Sequence, residues 1–108
     1  LNPKTVKLLR ERDKDQCWHC GTTENLTVQH RANRGMGGSK KRDNPANLIL
    51  LCWFVNFEME ASRVKAEVAL RQGWKLLQTD RPEQVAAFHY PSGKWICLDD
   101  SWGYTVAE

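Results

Sequence analysis

The sequence predicts an α+β fold: an N-terminal helix, a strand–loop–strand–helix core over residues 17–72, and an extension over 73–108 that contains a β-hairpin. Three observations predict it. Leu26 to Arg31 alternates, with Leu26, Val28 and His30 on one side and Thr27, Gln29 and Arg31 on the other, as a half-buried strand does. Between Asn56 and Gln72 the apolar residues Met59, Val64, Val68 and Leu70 lie among the positions of one helix that Gly73 closes. Finally, Pro91-Ser92-Gly93-Lys94 separates Phe88-His89-Tyr90 from Trp95-Ile96-Cys97-Leu98, a hairpin pattern.

The other elements follow in order. Asn2 can cap a helix that opens on Pro3, with Val6, Leu8 and Leu9 as its apolar side and an end just before Cys17. Cys17-Trp18-His19-Cys20-Gly21 then forms a tight knuckle, in which Gly21 is free to adopt a left-handed conformation. Gly35 to Ser39 is a glycine-rich basic loop, and Asp43-Asn44-Pro45 is a turn. Leu48-Ile49-Leu50-Leu51 is a buried second strand or a very short helix; periodicity does not separate the two at this length. Trp74 to Leu77 is a further candidate strand, and Arg81-Pro82-Glu83 starts a short helical turn.

With 108 residues, the chain is expected to form a single domain, 1–108. Its longest apolar run, Leu48 to Val55, is far short of the roughly 18 residues that span a bilayer. The charged start after Leu1-Asn2-Pro3-Lys4 is unlike a secretory leader, so a cytoplasmic location is expected. The net charge of +3 is unevenly placed. Residues 61–108 carry six charges of each sign, whereas 31–42 hold Arg31, Arg34, Lys40, Lys41 and Arg42 with no acid. The positive excess therefore lies entirely in the first 60 residues, where a polyanion is to be sought. Of the four cysteines, Cys17 and Cys20 are separated by only two residues, half of a zinc site or a redox pair in a reducing compartment. The five tryptophans supply core volume that a small chain otherwise lacks.

The residues suited to chemistry fall in a fixed order: Cys17-x-x-Cys20, Gln29-His30, Asn47, then Cys52 with Asn56 and Glu60. Asn56 and Glu60 are four apart and share a helix face. An imidazole titrating near pH 6.5 suits His30 to act as a general base toward water.

This order, with Val28-Gln29-His30-Arg31, Arg34-Gly35-Met36-Gly37-Gly38-Ser39 and Pro45-Ala46-Asn47-Leu48-Ile49-Leu50-Leu51-Cys52, resembles the small phage-encoded members of the HNH nuclease family, over residues 17–63. The resemblance implies a ββα-metal (His-Me finger) core and a metal-dependent endonuclease that hydrolyses phosphodiester bonds of DNA in a phage or prophage setting. It implies His30 as general base and Asn47 as the residue that ties the loop and orients that histidine. It implies Asn56, Glu60 and Gln29 around Mg2+ or another divalent ion, and Cys17, Cys20 and Cys52 on a structural zinc. Arg31, Arg34, Lys40, Lys41 and Arg42 would hold the DNA backbone without reading sequence.

Two positions depart from the family pattern. Gln29 stands where Asp or His is usual, which leaves Glu60 as the only anionic donor. Val55 stands where the fourth zinc ligand belongs, with His19, His89 and Cys97 as substitutes. The alternative implied is an inactive domain of the same fold that binds DNA or a protein partner.

Overall fold

The computed structural model describes residues 1–33 and 42–107. Over these residues the chain is an α+β domain with three α-helices and two small antiparallel sheets. Helix α1 (Pro3–Arg12) starts as predicted: Asn2 Oδ1 accepts from Thr5 N at 2.8 Å and Pro3 occupies the first turn. It ends earlier than expected, and the chain leaves it through Lys14 and Asp15, both at positive φ.

Strands β1 (Leu26–His30) and β2 (Leu48–Cys52) pair antiparallel, with His30 opposite Leu48 and Gln29 opposite Ile49. The ambiguous apolar run is thus a strand. Every residue of β2 is buried because helices cover both faces of this two-stranded sheet. On one face Leu48 and Leu50 pack with Leu9 of α1, joined by Leu26, Val28 and Trp102. On the other, Ile49 and Leu51 join Cys17, Trp18, Val55, Met59, Ala69 and Trp74 in the main core.

The single helix expected over 56–72 is two: α2 (Trp53–Ala61), which begins directly after Cys52, and α3 (Arg63–Gln72). Ser62 makes the break. Its backbone is extended (φ −125, ψ 125) and its hydroxyl accepts from Lys65 N at 3.3 Å, capping α3. Gly73 closes α3 at φ +78; a Cβ there would lie 2.3 Å from the Ala86 carbonyl oxygen.

Residues 74–77 form no strand; the backbone turns there, with Trp74 and Leu76 buried. The expected C-terminal hairpin is present as β3 (Ala87–His89) and β4 (Lys94–Leu98). A third strand, β5 (Tyr104–Val106), extends it to three. Among the described residues no helix is long and apolar enough to cross a membrane.

Candidate functional site

The knuckle after α1 folds back on itself: Gly21 N donates to the Cys17 carbonyl at 2.9 Å, with Gly21 at φ +75. This brings Cys20 beside Cys17, while β2 delivers Cys52 from across the sheet. The three Sγ atoms lie within 4.8 Å of one another, and Cys20 and Cys52 are 3.8 Å apart. His19 N donates to Cys17 Sγ at 3.3 Å. Cys17 and Cys52 are buried and Cys20 is exposed. Such a triplet can bind a soft metal ion such as zinc.

None of the three expected substitutes joins this group. The His19 ring packs against Trp74 and Tyr90, at centroid distances of 5.5 and 5.4 Å. His89 packs edge-on to Trp18 at 4.9 Å and its Nδ1 bonds Ser92 Oγ at 2.7 Å. Cys97 lies in β4 opposite Thr105. Burial, more than any nearby charge, lowers the pKa of both histidines below the ordinary value.

His30 ends β1. Its Nε2 lies 2.8 Å from Asp43 Oδ1, with about a fifth of each side chain exposed. A carboxylate accepts, so Nε2 is the donor in this pair, and in the neutral imidazole the lone pair is on Nδ1. Asp43 was not a candidate on sequence grounds. The one signal was its place as the first acid after the basic run.

Asn47, fully buried, laces the two ends of the intervening segment together. Its Oδ1 accepts from Ala32 N at 2.7 Å, and its Nδ2 donates to the carbonyls of Ala32 (3.0 Å) and Arg42 (2.8 Å). The Asn47 carbonyl also accepts from Arg31 N at 2.8 Å. The turn after His30 is therefore fixed by one side chain that satisfies polar groups otherwise left without partners.

Asn56, in the first turn of α2, donates through Nδ2 to Thr27 Oγ1 at 3.0 Å, and Gln29 donates through Nε2 to the Trp74 carbonyl at 3.2 Å. Strand alternation puts Thr27 and Gln29 on the α2 face of β1, whereas His30 shares the α1 face with Val28 and Leu48. Asn56 and Gln29 thus lie across the sheet from His30, and Glu60 is exposed one turn further along α2. Among the described residues, the cysteines are the grouping of three or more metal-binding His, Cys, Asp or Glu side chains, and Glu60 is not part of it. The structure thus engages the amide nitrogens of Asn56 and Gln29 with Thr27 and Trp74, on the face of β1 away from His30.

The basic residues separate. Arg31 is fully buried, which corrects its placement among the DNA contacts. Its guanidinium donates to four backbone carbonyls: Gly73 (2.7 Å), Ala46 (2.9 Å), Pro82 (3.1 Å) and Val85 (2.6 Å). Burial, with Arg12 as a nearby cation, pushes its pKa down to about 10, so it stays charged at neutral pH. Arg42 is partly exposed and donates to the Gln78 carbonyl. Arg34, Lys40 and Lys41 lie outside the described residues. Comparison of the chain with family models, with curated proteins and with solved structures finds no match.

Proposed function

We propose that this chain is an HNH-like endonuclease that hydrolyses phosphodiester bonds of DNA, with His30 as general base and a structural zinc on Cys17, Cys20 and Cys52. The observation that carries this reading is the His30–Asp43 pair at the end of β1, beside the turn that Asn47 holds. Asp43 fixes the imidazole tautomer and stabilises the imidazolium that forms when His30 Nδ1 takes a proton from the attacking water. Asn47 sets the direction of that ring by closing the loop behind it. Arg42 and the basic residues before it supply a sequence-independent hold on the phosphate backbone. No step is assigned to a divalent ion, because two of its expected donors, Asn56 and Gln29, lie on the other face of the sheet from His30.

That separation favours a second reading, a catalytically inactive domain that binds DNA or a protein partner. One experiment divides the two. Supercoiled plasmid is incubated with the protein in Mg2+, Mn2+, Ni2+ or Zn2+, with His30→Ala and Asp43→Asn in parallel. Nicking that falls by about 100-fold or more in rate in His30→Ala, and falls also in Asp43→Asn, supports the nuclease. Retention of DNA in gel shifts with no nicking in any metal supports the binding module. Nicking that persists in His30→Ala removes the assigned base.

A further inference from the structure

The cysteine triplet is one donor short of the four that a closed structural zinc site takes. Among the described residues no other histidine, cysteine, aspartate or glutamate lies within reach of all three sulfurs. Val55 lies in the first turn of α2, three residues after Cys52, which is that helix's N-cap. Val55 is buried in the same cluster as Cys17 and Cys52. Cys20, at the other end of the triplet, is exposed, so a metal held there reaches solvent on that side.

A tetrahedral ion with three thiolates and no fourth protein donor completes its shell from solution, as open zinc sites do with water. We propose that the Cys17–Cys20–Cys52 site binds its metal with an open fourth position, occupied by water in the resting protein and exchangeable for a small soft ligand, a thiolate above all. The preference follows from the donors: a metal that three thiolates select is soft, and a fourth thiolate matches it better than an oxygen donor. The inference rests on the metal-binding reading of the three cysteines and concerns the corner that they leave unfilled. Val55 decides the outcome, because a thiolate at that position would close the site from within the chain.

The test uses Co2+ in place of zinc, since its visible ligand-field bands report the donor set. The full-length protein and Val55→Cys are loaded with Co2+, metal content is measured, and β-mercaptoethanol is then titrated in. The expected result is one Co2+ per chain and bands that shift with added thiol in the wild type. In Val55→Cys the bands already have the four-thiolate position and do not move. One bound Co2+ with bands insensitive to thiol overturns the open position while leaving the three-cysteine site intact. Absence of bound Co2+ overturns the metal reading itself, and the open position with it. Should Val55→Cys fail to fold, the wild-type titration alone decides.

Discussion

Replacing Arg31 with Met separates a structural arginine from a DNA contact. The wild-type guanidinium ties the turn after β1 to the carbonyls of Ala46, Gly73, Pro82 and Val85, which belong to segments 15 to 54 residues away. Met removes all four bonds; because bonds of one group are not additive, the equivalent of two, at about 1.5–3 kcal/mol each for a charged donor, gives about 3–6 kcal/mol. Relief of the buried charge offsets part of that, because burial already disfavours the cation. A net loss of about 3–5 kcal/mol is expected, a large share of the roughly 5–15 kcal/mol that holds a domain together. At about 4–8 °C per kcal/mol for a chain near this size, Tm falls by roughly 12–40 °C. Thermal unfolding followed by circular dichroism measures this, with gel shifts at two salt concentrations as the second arm. A Tm within about 5 °C of wild type, together with weaker DNA binding and a shallower salt slope, would place Arg31 on a phosphate and refute the argument.

Asn47→Ala, which strips three hydrogen bonds from a fully buried position, should cost about 2–4 kcal/mol in chemical denaturation and speed amide exchange at Ala32. Folding holds His89 below its ordinary pKa, chiefly by burial and also through Lys14, against the opposing pull of Asp13; His19 shifts the same way. The unfolded chain then binds more protons below about pH 6.5, so stability is full above that pH and falls as pH drops toward the depressed values; His89→Gln should flatten this slope in urea titrations. A strong zinc chelator should lower the calorimetric Tm of the wild type and leave Cys52→Ser unchanged, because metal bound only by the folded cysteine triplet stabilises it.

What the sequence disclosed was whatever short-range pattern determines. The alternation from Leu26 to His30 stated which side chains share a face, and the structure keeps that division. The Asn2–Pro3 start of α1 was legible because a cap and its helix are adjacent. The break at Ser62 was not, since a serine within an amphipathic run is compatible with continuing the helix, and only its bond to Lys65 N marks a new start. Arg31 was misplaced for a different reason. It belongs by composition to a basic run, but the carbonyls that bury it come from a C-terminal segment with no local signal in the sequence. The Cys17–Cys20 spacing announced a knuckle, whereas Cys52 joined it only through the resemblance of the surrounding words.

Position 29 shows how packing can set a residue that chemistry alone would choose differently. Gln29 is buried on the α2 face, and its amide nitrogen donates to the Trp74 carbonyl just after the turn at Gly73. The position therefore calls for a donor, which an ionised carboxylate is not. Gln29→Asp, which introduces the residue type usual in the family that the sequence resembles, would point an acceptor-only anion at a carbonyl oxygen in a buried setting. It should therefore lower stability by about 1–3 kcal/mol at pH 7, and less at pH 4, where protonation returns a donor. If position 29 were instead poised as a cation ligand, the same substitution would raise Tm as Mg2+ or Mn2+ is added. Urea unfolding at the two pH values, repeated with each metal, distinguishes the cases. A variant as stable as wild type at pH 7 that gains stability from Mg2+ would mean that the site is built for an ion, and that the bond to Trp74 is incidental.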